Sequence, residues 1–199
     1  SASVGPQVNG FTITGTVTYR FYSSADCTGS HTDETVSVGS ESTPNVLGAG
    51  SYSYIVVYSG DGNYDGSTSI CEPFTVNKAS TSTVTAVHVD GSHVDVTGSI
   101  QPLATSIHDN ATVSGAVSPF AIGGSVTYYY FANGACSGVP SAFVTVAVGS
   151  ESGSTGPLIA GSYSFNATYN GDTNYLPSTS PCEPLTVSKA STSTTTSVH

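Results

Sequence analysis

Several side chains in this sequence have the residue types that bind metal ions. Asp61, Asn63 and Asp65 follow the pattern Asp-x-Asn-x-Asp-Gly, which opens a calcium-binding loop. The second half of the chain repeats the segment but has Leu176 at the third ligand position. A tight turn capped by Asp and Asn side chains explains both copies. We therefore predict a turn, and calcium at Asp61, Asn63 and Asp65 stays the alternative.

Histidine is the other candidate metal ligand. His88 and His93 lie close in the sequence and flank Asp90. Imidazole nitrogens bind zinc and related ions, so this spacing could contribute to a metal site. A polar surface loop explains the same residues without an ion. We favour the surface loop and predict no metal.

The acidic residues that could serve in acid–base catalysis recur in register in the two halves of the chain. Glu41 corresponds to Glu151, and Glu72 corresponds to Glu183. This repetition favours a structural or solvent-facing role. The sequence also has no nucleophile elbow, phosphate-binding loop or His-Glu-x-x-His motif. We predict no catalytic residue, no cofactor and no enzymatic activity.

The four cysteines occupy matching places with nearly equal gaps between them. Only the pairs Cys27–Cys71 and Cys136–Cys182 treat the two halves alike. A zinc site of four thiolates needs closely spaced cysteine pairs, which the sequence lacks. The pattern predicts two disulfides, and disulfides imply an oxidising, extracellular or cell-surface location.

The chain contains two copies of the same module. The segment GTVTY at 15–19 returns as GSVTY at 124–128, and CEPFTV at 71–76 returns as CEPLTV at 182–187. Large and small side chains alternate within these segments, which is the period of a β-strand. Short strands separated by Gly- and Asp-rich turns predict an all-β fold of two tandem immunoglobulin-like β-sandwich modules.

The repeat predicts the module boundaries. Module 1 spans 1–78 and lacks its first strand, and module 2 spans 79–189. Residues 190–199 repeat the start of module 2 and are either the first strand of a following module or a strand donated to another copy. The donor residues are Thr192, Thr194, Thr196 and Val198. This tail is more polar than its template, since Thr195 corresponds to Val84 and Ser197 to Ala86.

Five segments carry a resemblance to a known family. The runs at 58–64 and 169–175, the Cys-Glu-Pro-x-Thr-Val runs and the segment 108–113 resemble the bacterial immunoglobulin-like repeat domains of the group 3 type. The resemblance covers essentially the whole chain. It implies a secreted or surface-anchored protein such as a stalk, an adhesin or a surface-layer component, and it supplies no catalytic residue.

Charge limits the possible partners. The chain has a net charge of −10 and only three basic residues, which argues against binding nucleic acid or anionic lipid. No apolar run is long enough for membrane insertion. The Asn-x-Thr sequons at Asn110 and Asn166 are candidate glycosylation sites, with chance occurrence as the alternative.

Two functions stay open. The first is a structural, repeating unit of an extracellular filament, stalk or sheath that associates with itself head to tail, with Ile55 and Val57 as an outward contact between modules. The second is an adhesin fragment that binds a glycan or protein receptor. Exposed aromatic residues found in one module only would favour the adhesin, and Tyr129 and Phe131 are the candidates.

Overall fold

The computed structural model describes residues 1–198 and confirms the all-β fold. The described residues contain no helix, and hence none long and apolar enough to cross a membrane. The chain divides into two compact units. The first unit is Ser1–Lys78, and the second unit begins at Ala79.

The first unit contains a single antiparallel sheet. Its strand order is β2-β1-β3-β4, and β5 also pairs with β3. The strands are β1 (Thr16–Tyr22), β2 (His31–Ser37), β3 (Gly50–Tyr58), β4 (Ser67–Thr68) and β5 (Glu72–Val76). One face of this sheet buries Val17, Tyr19 and Tyr58. Ala2, Val4 and Ile13 pack on the same face from the N-terminal segment.

The second unit contains two sheets. The larger has the order β10-β9-β11-β13-β7, with β12 on β11, and the smaller is the pair β6-β8. The strands are β6 (Ser82–Val89), β7 (Ile100–Gln101), β8 (Ile107–Ser114), β9 (Ser125–Phe131), β10 (Ala142–Ala147), β11 (Gly161–Tyr169), β12 (Ser178–Thr179) and β13 (Glu183–Val187).

The two sheets of the second unit face each other across an apolar core. Val87 from β6 and Ile107 from β8 lie in one buried cluster with Phe165 and Leu185 of the larger sheet. Each of these side chains is at most 3% exposed. The second unit is therefore a two-layer β-sandwich, in which β6 and β8 form the covering layer.

The first unit has no strand in the place of this covering layer. Residues 1–4 correspond to 110–113 of β8, but they form no strand. We predicted that the first strand would be missing, and the counterpart of β8 is not formed as a strand either. The physical reason is that β6 is the one strand of the described residues that pairs with β8. Without a β6 counterpart, residues 1–4 have no backbone partner to hold them as a strand.

Both disulfides are present at the predicted pairs. Cys27 and Cys71 lie with their Cα atoms 5.9 Å apart, and Cys136 and Cys182 lie 5.8 Å apart. The bonds close sequence separations of 44 and 46 residues. In each unit the first cysteine also donates its backbone N–H to a buried serine of the central strand, Ser53 or Ser164.

Removing one disulfide should destabilise its own unit. On the chain-entropy model, opening a closed loop of this length lowers the free energy of unfolding by about 4 kcal/mol. We expect the double variant Cys136→Ser/Cys182→Ser to lower the melting temperature of the second unit in calorimetry. The matched variant Cys27→Ser/Cys71→Ser should act on the first unit. Unchanged melting of both variants would contradict a stabilising role.

Candidate functional site

A groove of about 490 Å³ runs along the first unit. One wall is the N-terminal segment 1–5. The other is formed by β3, β4 and the start of β5, with the lining residues Val56, Tyr58, Ser67, Thr68, Ser69 and Glu72. The groove lies on the face of the sheet that β6 and β8 cover in the second unit.

The exposure of matching residues shows how much of this face is uncovered. Phe74 on β5 is 37% exposed, whereas its counterpart Leu185 on β13 is 2% exposed. Tyr54 is half-buried, and its counterpart Phe165 is 3% exposed. Phe21, Tyr52, Tyr54 and Phe74 stack against one another along this face, at centroid distances of 5.1 to 6.0 Å. The first unit thus presents aromatic surface that the same fold elsewhere buries.

The second unit shows which groups hold a strand in this position. Thr83 Oγ1 of β6 lies 2.7 Å from Ser178 Oγ, and Thr85 Oγ1 donates to Ser180 Oγ at 3.1 Å. The counterparts of the two serines in the first unit are Ser67 and Ser69, and both line the groove. The groove therefore presents the hydroxyl groups that bind β6 in the second unit.

Backbone groups anchor the start of β6 in the same way. The N–H of Ala79 donates to the carbonyl of Asn174 at 2.9 Å, and the N–H of Leu176 donates to the carbonyl of Ala79 at 2.9 Å. The corresponding residues of the first unit are Asn63 and Asp65. The first residue of a strand that enters the groove could therefore form the same two backbone hydrogen bonds, to the carbonyl of Asn63 and from the N–H of Asp65.

The tail at 190–198 is exposed and forms no strand in the single chain. It repeats residues 79–87, so each donor residue has a counterpart in β6 or just before it. The two counterparts that β6 buries most deeply are Thr83 and Val87, at 3% and 0% exposed. The tail keeps both types, as Thr194 and Val198. The polar replacement Thr195 falls instead at the position of Val84, which is 54% exposed.

The turn at Asp61 uses its carboxylate for hydrogen bonds within the loop. One oxygen accepts from the N–H of Thr14 at 2.7 Å, and the other accepts from the N–H groups of Asn63 and Tyr64 at 2.8 and 2.9 Å. The second unit builds the same turn on Asp172. Glu72 stands where a calcium loop has its last ligand, yet it lies on β5. No group of metal-ligating atoms found among residues 1–198 includes Asp61, Asp65 or Glu72.

These bonds make the turn at Asp61 sensitive to acid. The hydrogen bond from the Thr14 backbone, followed by that from Asn63, lowers the pKa of Asp61 to about 2. The ordinary pKa of aspartate in an unfolded chain is about 3.9. A lowered folded-state pKa contributes stability that is complete above the unfolded value and is lost as pH falls through the folded value.

We therefore expect the contribution of Asp61 to disappear between about pH 4 and pH 2. Asp61→Asn should lower the melting temperature of the first unit at neutral pH and flatten its pH dependence in that window. Thermal melts across this range measure the effect. Asp65→Asn is the matched control in the same loop. An Asp61→Asn protein with the same acid dependence as the native one would contradict the assignment.

The other predicted contact sites lie on strands. Asn110 on β8 and Asn166 on β11 are both half-buried, and the Asn166 Oδ1 is enclosed without a hydrogen-bond partner. The side chain of Asn166 is thus only partly open to solvent, because its carbonyl oxygen is covered. Ile55 and Val57 on β3 are also half-buried in the chain.

The predicted aromatic pair is only partly exposed. Tyr129 is half-buried and Phe131 is 6% exposed, so the expectation for Phe131 was wrong. The disulfide loop that follows β9 turns back over this face. There the backbone N–H of Cys136 donates a hydrogen bond to the hydroxyl of Ser164, the cross-strand neighbour of Phe131.

An exposed aromatic residue that the sequence did not single out is Phe143, which is 71% exposed. Phe143 borders an apolar pocket of about 250 Å³ with Tyr129, Tyr130 and Val144.

The structure also changes the interpretation of the histidines. His88 lies within strand β6 and is half-buried, whereas His93 lies in the exposed turn after it. Both belong to one group of ligand-type side chains with His108 on β8 and Glu151 in the loop after β10. The sequence analysis did not connect these four residues, because only the pairing of β6 with β8 and the packing of that loop bring them together. His88 and His108 are direct cross-strand partners.

Comparison with models of known protein families, with curated proteins and with solved structures gives no match to this chain. The function must therefore be inferred from the geometry of the chain itself. Its three features are the groove of the first unit, the tail at 190–198 and the cluster of histidines in the second unit.

Proposed function

We propose that this protein is a non-enzymatic, extracellular structural protein whose modules join head to tail through an inserted β-strand. The observation that carries the proposal is the match between the groove of the first unit and the site of β6 in the second. The groove presents Ser67 and Ser69, and Tyr54 and Phe74 lie on the same face of the sheet in the partly exposed aromatic row. The tail at 190–198 presents the residue types that occupy the same position in β6.

The tail of a second copy is the occupant that we assign to the groove. Thr194 would lie beside Ser67 and Thr196 beside Ser69, as Thr83 and Thr85 lie beside their serines. Val198 would pack on Tyr54 and Phe74, as Val87 packs in one cluster with Phe165 and Leu185. Such a strand also gives residues 1–4 a backbone partner, so that they can complete the covering layer.

A contact of this kind can repeat from one copy of the chain to the next. The donor segment and the groove are different surfaces of the same chain, so each copy can receive one strand and donate another. Heterologous contacts of this kind form open filaments when the rotation between copies does not close a ring. In a longer chain, the same segment would serve as the first strand of a following module, with the same contacts in the groove.

An extracellular location fits the chemistry of the chain. Two disulfides imply an oxidising compartment, and every cysteine of the described residues is in a disulfide. The resemblance to surface repeat domains supports a cell-surface filament, stalk or sheath. The sequons at Asn110 and Asn166 are compatible with such a location.

A cysteine pair tests the inserted strand directly. Thr83 Oγ1 and Ser178 Oγ are within hydrogen-bond distance, so cysteine sulfurs at the matching positions of tail and groove can meet. We expect the double variant Thr194→Cys/Ser67→Cys to give a ladder of cross-linked multimers on non-reducing gels under mild oxidation. The matched control Thr195→Cys/Ser67→Cys places the tail cysteine on the outward face and should cross-link at least about tenfold less.

The pattern of products decides between the possible occupants. An intramolecular cross-link would mean that the tail enters the groove of its own chain, which contradicts head-to-tail joining. Equal ladders from the two variants would mean that the tail binds without the β6 register. Deletion of 191–199 should abolish multimers seen by electron microscopy while the second unit keeps its melting transition, and filaments that persist after this deletion would also contradict the proposal.

A second candidate function is an adhesin, favoured by the exposed Phe143 beside its apolar pocket. Aromatic side chains at the rim of a pocket are suited to stacking on sugar rings or inserting into a protein partner. The first unit has Asp33 at the position of Phe143 and Glu34 at that of Val144 on the equivalent strand β2, so this aromatic surface is confined to the second unit.

If the pocket is a receptor site, binding should depend on Phe143. We expect a glycan array to give reproducible hits with the native chain and at least about tenfold weaker signals with Phe143→Ala. The control is Val139→Ala, which alters another exposed apolar residue outside the pocket. An array without hits, or hits that Phe143→Ala leaves unchanged, would count against the adhesin.

A further inference from the structure

Three histidines and one glutamate converge in the second unit. One ring nitrogen each from His88, His93 and His108 and one carboxylate oxygen of Glu151 all lie within 4.8 Å of one another. The ring of His108 is central, since it lies 5.6 Å from the ring of His88 and 4.9 Å from that of His93. Among residues 1–198 this is the single group of at least three such side chains with that geometry.

The central imidazole is oriented by a carboxylate behind it. Nδ1 of His108 lies 2.8 Å from Oδ1 of Asp90, and the other oxygen of Asp90 accepts a hydrogen bond from the Ser154 hydroxyl. This contact leaves the opposite nitrogen, Nε2, facing Glu151, whose Oε2 lies 3.5 Å away. A carboxylate behind a histidine is the common outer-shell partner of metal-bound histidines, where it fixes the tautomer and the ring orientation.

The nitrogen that faces the cluster is buried without a hydrogen-bond partner. The His108 side chain is 7% exposed, and its Nε2 makes no hydrogen bond, although Glu151 Oε2 is 3.5 Å away. Nδ1 of His88 is also buried and has no hydrogen-bond partner. An unpaired buried polar atom costs free energy, so two such nitrogens at one place call for a ligand. A metal ion would accept electron pairs from the cluster.

The surrounding backbone holds these side chains in place. His88 and His108 are cross-strand partners in the β6–β8 pair. His93 adopts the left-handed conformation, with φ of 52°, and its N–H donates to the carbonyl of Val89. The loop that carries Glu151 is tied to β8 by two hydrogen bonds between Ser152 and Asp109, at 2.7 and 2.9 Å. A cluster on paired strands and tethered loops is largely formed before an ion arrives.

We propose that His88, His93, His108 and Glu151 bind one divalent transition-metal ion, with zinc as the ion that fits best. Imidazole suits Zn²⁺, Ni²⁺ and Cu²⁺, whereas Ca²⁺ and Mg²⁺ need more oxygen ligands than this site offers. Zinc–nitrogen bonds of about 2.0–2.1 Å place tetrahedral ligands about 3.3 Å apart. His93 and Glu151 are the exposed members, and small rotations of their side chains can close the remaining gap.

The ligand set indicates a structural role for the ion. Four protein ligands complete a tetrahedral zinc site and leave no position for a substrate. The ion would link β6, β8, the turn between β6 and β7 and the loop after β10. It would thereby secure the covering layer of the second unit, independently of whether the modules assemble head to tail.

Titration of the metal-free chain tests this site. After dialysis against a chelator, isothermal calorimetry with Zn²⁺ should give one ion per chain, with Kd in the micromolar range or tighter. Binding to the folded state should raise the melting temperature of the second unit by at least about 5 °C at saturating Zn²⁺. Ca²⁺ and Mg²⁺ should produce neither effect. Co²⁺ bound in place of Zn²⁺ should show the strong visible absorption of a tetrahedral complex.

Variants of the two exposed ligands, His93 and Glu151, test Zn²⁺ binding separately from the stability of the metal-free fold. His93→Gln and Glu151→Gln should each weaken Zn²⁺ binding at least about tenfold while the metal-free melting temperature stays unchanged. Asp90→Asn should weaken it about 10- to 100-fold through loss of the outer-shell contact. His31→Gln is the matched control, because His31 also lies near a carboxylate, 3.5 Å from Asp33, but outside the cluster.

Three results would overturn the proposal. These are the absence of stoichiometric Zn²⁺ binding, equal affinity in the native chain and in the His93→Gln and Glu151→Gln variants, and loss of binding in His31→Gln. Failure of the strand-insertion proposal would leave this site untouched, since all of its residues belong to the second unit.

Discussion

Strand β6 is the element on which the second unit depends. It pairs with β8, and the two strands together cover the apolar face of the larger sheet. A β-sheet with one apolar face is stable in water only when a second layer buries that face. The same strand supplies His88 to the histidine cluster and provides the template that the tail repeats. The core, the proposed metal site and the proposed assembly therefore all involve this strand of eight residues.

The side chains of β6 that face the larger sheet are partly polar, and this affects how such a strand can be exchanged. Thr83 and Thr85, with Thr81 just before the strand, form hydrogen bonds with the hydroxyl groups of Ser178 and Ser180. The fully buried apolar side chain, Val87, lies near the end of the strand. Paired hydroxyls fix the register, because a shift by one residue would turn the threonines to the outer face. A threonine-rich strand is also soluble while it is unpaired. The tail has this composition throughout, which suits a segment that is exposed before it docks.

The two units share their framework and differ in their chemistry. Each has the disulfide, the aspartate turn and a tyrosine hydroxyl that closes the loop before β1 or β9, donated by Tyr64 to the carbonyl of Phe11 and by Tyr175 to that of Phe120. These contacts recur because the same backbone path needs the same hydrogen bonds. The histidine cluster has one counterpart in the first unit, Glu41, and the exposed Phe143 has none. Features that occur once are the places where a binding function can be sought.

The sequence by itself determined the strands, the repeat and the disulfides. Alternation of side chains is a local property that assigns each residue to one of two faces, and equal cysteine spacing in two copies leaves one symmetric pairing. The tertiary structure alone decided which of those faces are covered and which distant residues meet. Phe131 is buried because a loop turns back over its face, and residues 1–4 form no strand because β6 has no counterpart there. His88, His108 and Glu151 meet only through strand register and layer packing, which no local pattern in the sequence encodes.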